Sequence, residues 1–334
     1  PDGHEAHYER GHPERPGRVE AIKAAMEEAG LWDAYPHLKP IDVPQEVLHS
    51  IHNPDYLANL QDAAESGRRL DMDTYITPHS WQLALNAIGG ACAVAAAVRK
   101  REAKRGFSLS RPPGHHATAD RAMGFCLLNN VAVAAEYLIQ IEGADRLAVI
   151  DIDLHHGNGT QDIFYPRGDV LFVSTHQSPL YPGTGHLNEV GMGDGEGATL
   201  NLPFPPYSGD LAFEAAVQKI ILPLLDRYQP EMILISAGFD AHWRDPLGHL
   251  LVSTSGYANT ISALVQWADE NCSGRILLNL EGGYDLEASA DSALASTQVL
   301  LELPWEDPLG PSPTQESTAW ESVIDLSLSV HALA

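Results

Sequence analysis

The chain has 334 residues, 44% of them hydrophobic, which suits one large α/β domain with a substantial core. Its formal net charge of −25 excludes non-specific attraction to nucleic acid or to an anionic membrane; an acidic surface suits cationic substrates, although most of that charge is a solvated face. The three cysteines, Cys92, Cys126 and Cys272, are too widely spaced for a disulfide framework or a cysteine zinc site and point to a reducing compartment. No charged-then-apolar leader opens the sequence, and its longest small-apolar run, Gly90 to Val98, is too short to cross a bilayer. A cytoplasmic protein is expected, with no membrane and no direct nucleic-acid partner.

The N-terminal segment ends in a polar loop, Gly11-His12-Pro13-Glu14-Arg15-Pro16, whose last proline suits the first turn of a helix. From Arg18 to Ala29, Val19, Ile22, Ala25 and Met26 recur at helical spacing, and Gly30 closes the segment. Residues 31–80 read as irregular because of Pro36, Pro40, Pro44, Pro54 and Pro78, and they include the polar loop Leu70-Asp71-Met72-Asp73-Thr74. Trp81 to Arg105 reads as a long alanine-rich helix with a basic last turn, closed by Gly106. The strand Phe107–Ser110 follows and runs into Arg111-Pro112-Pro113-Gly114-His115-His116, a rigid bend that presents two imidazoles. Gly124-Phe125-Cys126 then leads into a helix from Asn130 to Ile141.

The central stretch begins with the apolar run Arg146–Ile150, read as a buried parallel strand, and continues as Asp151-Ile152-Asp153-Leu154-His155-His156-Gly157-Asn158-Gly159. Alternation puts Asp151, Asp153 and His155 on one side of an extended chain. Three such groups are costly to bury without a partner, and a divalent metal suits two carboxylates and an imidazole. The plainer reading makes the aspartates caps of the next helix and the histidines surface residues. Gly157 and Gly159 favour a tight turn that brings backbone close to something.

Strands Val170–Ser174, Met232–Ser236 and Ile276–Leu280 follow, separated by a loop with glycines at 191, 193, 195 and 197 and by helices near 210–228 and 256–271. A last helix is expected over Leu286–Leu301, with a tail from Pro304 wrapping the surface. With no repeat and no internal boundary, residues 1–334 read as a single domain. The alternation of strand and helix predicts an open parallel sheet with helices on both faces and ligands beyond the carboxyl ends of the strands. His115, His116, Asp151 to His155, His176, Asp240 and Tyr284 all lie just past strands.

Asp153, His155 and Asp240 would make a three-ligand metal site with a position open for water or substrate. Zinc fits, and Fe²⁺ or Mn²⁺ satisfies the same donors. His115 and His116 would move the proton, Asp151 and Asn158 would orient them, and Tyr284 would donate to a developing oxyanion. This set describes metal-assisted hydrolysis of an amide or ester.

Arg111-Pro112-Pro113-Gly114-His115-His116-Ala117, Asp151 to Gly159, Ala237-Gly238-Phe239-Asp240 and Gly282-Gly283-Tyr284 resemble the histone deacetylase family, over nearly the whole chain from about His12 to the last helix. Asn158 and Gly238-Phe239-Asp240 resemble its class II branch and bacterial relatives, including acetylpolyamine amidohydrolases. The resemblance implies an arginase-like domain around a parallel sheet of about eight strands. It implies zinc on Asp153, His155 and Asp240, with His116 as the general base and acid and His115 as its neighbour. Asp151 and Asn158 match the partners of that pair, and Tyr284 matches the transition-state tyrosine. Gly124 and Phe125 match the acyl-lysine tunnel, and Tyr181 stands where its second aromatic, commonly phenylalanine, is placed. Asp73 aligns with a rim aspartate that grips substrate backbone, and Leu247 with a gatekeeper that is acidic in one polyamine-preferring branch. A monovalent cation, K⁺ or Na⁺, is implied on backbone carbonyls of the central stretch, with Ser174 as one ligand.

The leading expectation is a zinc-dependent amidohydrolase that removes acetyl or a similar acyl group from lysine side chains of a peptide or protein. Acetylated polyamines are the alternative substrates. An arginase-type ureohydrolase would need further carboxylates for two metals, and an inactive acyl-lysine binding module would not need Tyr284 and both histidines. The loops at 31–80 and 175–200 are placed to serve as rims or as interfaces of a homo-oligomer.

Overall fold

In the computed structural model, which describes residues 2–332, strand alternation sets the layers. Ala148 and Ile150 of β2 (Leu147–Asp151) face one core, while Leu147 and Val149 face another. The neighbouring β3 (Val170–Gln177) and β5 (Ile233–Ala237) divide in the same way. Burying such side chains contributes about 1.5–3 kcal/mol each, so strands covered on both faces open as continuous apolar runs and carry their polar residues toward the carboxyl ends. With β1 (Arg105–Ser108), β4 (Thr199–Phe204) and β6 (Ile276–Leu280) they form an all-parallel sheet in the order β1-β6-β5-β2-β3-β4. One core is covered by α1 (Gly17–Glu28), α7 (Asp210–Ala216), α8 (Leu222–Tyr228), α9 (Thr254–Asn271), α10 (Leu286–Leu300) and α11 (Glu321–Val330). The other is covered by α2 (Gln45–Ile51), α3 (Pro54–Ser66), α4 (Ser80–Arg99) and α5 (Asn130–Gln140), while α6 (Asn158–Phe164) follows β2. The chain runs outward from β2 through β3 to β4, then returns to β5 on the other side of β2. That reversal opens a crevice at the carboxyl ends of β2 and β5, the place where ligands bind in such sheets.

The expected single α/β domain with a parallel sheet and helices on both faces is what forms, but the sheet has six strands among the described residues rather than about eight. Residues 31–80 are irregular only in part: Pro44 immediately precedes α2, and Pro54 opens α3 behind the Asn53 cap, so these prolines start helices, while 31–44 and 67–79 remain loop. The alanine-rich helix ends at Arg99, because the chain reverses at Arg101 with φ 64°, and Gly106 lies inside β1. Gly106 is required there, since any Cβ would collide with Val94. Helix α4 is long and apolar enough to cross a membrane, yet most of it is buried in the second core. The helix expected over 210–228 widens into a π-turn at Val217–Ile221, just before Pro223, which has no N–H for the preceding turn. Strand β4 was not expected; it is an edge strand and so accommodates Pro203. The tail does not merely wrap the surface, for α11 adds Val323 and Ile324 to the first core.

Candidate active site

The register that pairs Asp151 with Ser236 of β5 and Ser174 of β3 brings the ends of these strands together. Asp153 follows β2 and Asp240 follows β5, and both are buried. His155 Nδ1 lies 3.2 Å from Asp153 Oδ1 and 3.2 Å from Asp240 Oδ2. The remaining carboxylate oxygens are fixed by backbone: Asp153 Oδ2 accepts from Gly282 N (2.9 Å) and Asp240 Oδ1 from Leu154 N (3.0 Å). Gly238 and Gly282 have to be glycine, because a Cβ at either would run into these carboxylates. The aspartates do not cap α6, whose start at Gly157 has no side-chain cap.

The donor set fits a divalent ion. Ligand atoms of Asp153, His155 and Asp240 lie within 4.8 Å of one another, and Asp240 Oδ2 is buried without a hydrogen-bond partner. Burial opposes a charged His155, but Asp153 and Asp240 lift its pKa to about 10, so a positive charge is strongly favoured between the carboxylates. A second grouping, His115, Cys126 and Glu281, is already satisfied by the protein itself. There the Glu281 carboxylate already accepts from Gly114 N (2.7 Å), His115 N (3.1 Å) and Asn279 Nδ2 (2.9 Å).

The tandem histidines stand beside the three ligands, with ring centroids 4.1 Å apart. His115 Nδ1 is 2.9 Å from Asp151 Oδ2, and His116 Nδ1 is 2.8 Å from Asn158 Oδ1. Burial would depress both pKa values. For His115, the carboxylates of Asp151 and Asp153 reverse that and hold it well above the usual range. For His116, the neighbouring His115 and His155 add to burial and push it well below. The two adjacent rings are thus driven toward opposite protonation states.

Gly124 and Phe125 both take positive φ, 55° and 69°, and a Cβ on Gly124 would strike the His116 ring. Such a backbone in a phenylalanine is strained and persists only when its surroundings hold it. Phe125 meets Tyr284 edge-on at 5.8 Å, and Tyr181 meets His116 edge-on at 5.2 Å. Asp73 is exposed near Phe125: its carbonyl lies 3.0 Å from His12 Nε2, and the next residue, Thr74, accepts from Phe125 N through Oγ1 (3.2 Å). Leu247 is half-buried against the first core, and its backbone N–H donates to Asp245 Oδ1 at 3.0 Å. Ser174 Oγ lies 2.9 Å from His176 Nδ1.

Several charged residues at the site were not singled out in the sequence. Glu14 is fully buried, bonded to Arg111 and Arg18, and burial that would raise its pKa is outweighed by Arg111, which brings it to about 2. Removing one partner of such a cluster costs about 3–5 kcal/mol. Arg18 in turn donates to the carbonyls of Glu281 and Gly283 and lies 4.9 Å over the Tyr284 ring. The signal for Glu14 and Arg18 was their i, i+4 spacing at a helix entry, and for Glu281 its place directly after a strand, as with Asp240.

A histone deacetylase domain model matches residues 12–300. The chain belongs to the histone deacetylase family. This deacetylase-family chain is 40% identical over 280 residues to a probable deacetylase of Archaeoglobus fulgidus, covering 83% of this chain and 78% of that one. It is 37% identical to a histone deacetylase-like amidohydrolase of Pseudomonas aeruginosa, covering 82% and 73%. The crystal structure of an HDA15 HD domain superposes with a TM-score of 0.89 at 35% identity, covering 97% of this chain and 89% of that one. A deacetylase or amidohydrolase activity follows from membership of the family.

Proposed function

We propose that this histone deacetylase family member is a zinc-dependent amidohydrolase that removes acetyl or a similar acyl group from lysine side chains. The observation that carries this reading is the convergence of Asp153, His155 and Asp240 beside two histidines whose protonation tendencies are driven apart. Bound by those three residues, zinc would supply a Lewis acid that polarises the amide carbonyl and makes water a nucleophile near neutral pH; Fe²⁺ or Mn²⁺ would satisfy the same donors. His116, kept neutral, takes the proton of the attacking water and returns it to the leaving amine nitrogen as the C–N bond breaks. His115, paired with Asp151, remains charged beside it, and Asn158 fixes the tautomer of His116 without adding charge. Tyr284 donates its hydroxyl proton in a hydrogen bond to the oxyanion of the tetrahedral intermediate. Phe125 and Tyr181 line the lysine stem, and Asp73 holds substrate backbone at the rim. A monovalent ion on the central-stretch carbonyls is part of the proposal, supported by the facing register of Asp151 and Ser174.

Turnover of an acetyl-lysine fluorogenic peptide tests the reading: hydrolysis supports it, and saturable binding without turnover would make the chain an acyl-lysine binding module instead. Exchanging Asn158 for Asp places a carboxylate on His116, which favours the imidazolium. Because His116 has to be neutral to accept a proton, the acid limb of kcat/KM is expected to move to higher pH by about one unit or more. A pH profile identical to the parent's would remove His116 from the base role.

Acyl-lysine is preferred over acetylated polyamines because Leu247, at the matching gatekeeper position, offers no charge for a distant ammonium. The kcat/KM ratio of an acetyl-lysine peptide to acetylated putrescine and spermidine is expected to favour the peptide, and Leu247→Glu is expected to shift it toward the polyamines. A parent enzyme that prefers polyamines would overturn the substrate assignment.

A further inference from the structure

The Gly283–Tyr284 peptide is held at both ends. Its carbonyl, Gly283 O, accepts from Arg18 Nε at 2.6 Å, and its N–H, on Tyr284, donates to Asp245 Oδ2 at 2.7 Å. The same Asp245 oxygen accepts from Asp285 N at 3.1 Å, and its other oxygen accepts from Leu247 N at 3.0 Å. Gly283 has φ 118°, a conformation that a residue with a side chain rarely adopts, so the loop does not keep this path by local preference alone. Asp245 is buried and belongs to the segment that leaves the Asp240 position.

We propose that Asp245 is a positioning residue for the reaction: its carboxylate fixes the peptide plane from which the Tyr284 side chain departs and ties it to the loop that carries Leu247. This rests on the role assigned to Tyr284 above. A carboxylate is needed because three backbone N–H groups converge on it, and no neutral side chain of that length accepts on both ends. An orientation error of the tyrosine hydroxyl falls on the transition state, where the oxyanion has formed, and only weakly on substrate binding. The hydrogen bonds of the Asp245 carboxylate all go to backbone N–H groups, so its effect passes through Tyr284.

The test is a mutant cycle on the zinc-loaded full chain with an acetyl-lysine peptide. Asp245→Ala should lower kcat by roughly 10- to 100-fold with KM changed less than about threefold, and zinc content should stay at the parent value. Asp245→Asn should recover part of the loss, because its single oxygen can still take the Tyr284 and Asp285 N–H groups; it also serves as the test variant if the alanine protein does not fold. In a Tyr284→Phe background, which has no hydroxyl to misplace, either substitution should change kcat by less than about twofold. Additive losses, a change confined to KM, or loss of zinc would overturn the positioning role. If Tyr284→Phe alone leaves kcat unchanged, the role of the tyrosine fails instead, and the two failures are told apart within the same set.

Discussion

Asp240→Ala is expected to abolish metal binding and to reduce deacylation to background. The substitution removes one of the three proposed ligands together with one of the two carboxylates, Asp153 and Asp240, that favour a positive charge between them. It also strips the acceptor from Leu154 N, and a buried donor left without a partner costs about 1–3 kcal/mol. Two remaining ligands hold an ion far less well than three, so elemental analysis should find little metal per folded chain while circular dichroism remains that of the parent. A variant with full metal content would remove Asp240 from the ligand set.

Tyr284→Phe removes the hydroxyl and keeps the ring. The packing that orients the ring, Phe125 at 5.8 Å and Arg18 at 4.9 Å, involves its faces and edges and survives the change. Losing one oxyanion donor costs roughly 10²–10³ in turnover, or about 2.7–4 kcal/mol. Burial, helped by Asp240 and Asp153 against the opposing Arg18, holds the phenol pKa well above its usual value, so the hydroxyl remains a donor throughout the working pH range. KM should change little, because the oxyanion exists only on the way to products. Steady-state kinetics on the peptide substrate check both numbers, and a variant with near-parental kcat would show that another group stabilises the oxyanion.

Much of the site was legible because its residues obey a local rule. Asp151, Asp153 and His155 alternate at the end of an apolar strand, and Asp240 and Tyr284 also follow strands, so the parallel sheet alone brings them to one edge. The residues that hold the site together obey no such rule. Asp245 meets Tyr284 only because the loops after β5 and β6 lie side by side, and Glu14 meets Arg111 across 97 residues of chain. Contacts of that kind depend on tertiary packing and leave no periodicity. The misread helices have the same origin in reverse: Pro44 and Pro54 look like breakers until their neighbours show them at helix starts. Leu247 is joined to Tyr284 through the Asp245 carboxylate, a link that no sequence pattern shows.

The most direct measurement is reconstitution. The chain is stripped with a chelator, zinc is returned in substoichiometric steps, and acetyl-lysine peptide turnover is followed beside bound metal. Activity is expected to rise in proportion to zinc and to stop rising at one ion per chain, with weaker uptake in acid because a proton on His155 competes with the ion. Full turnover by the metal-free chain, or a requirement for two ions, would contradict a single-metal site on Asp153, His155 and Asp240.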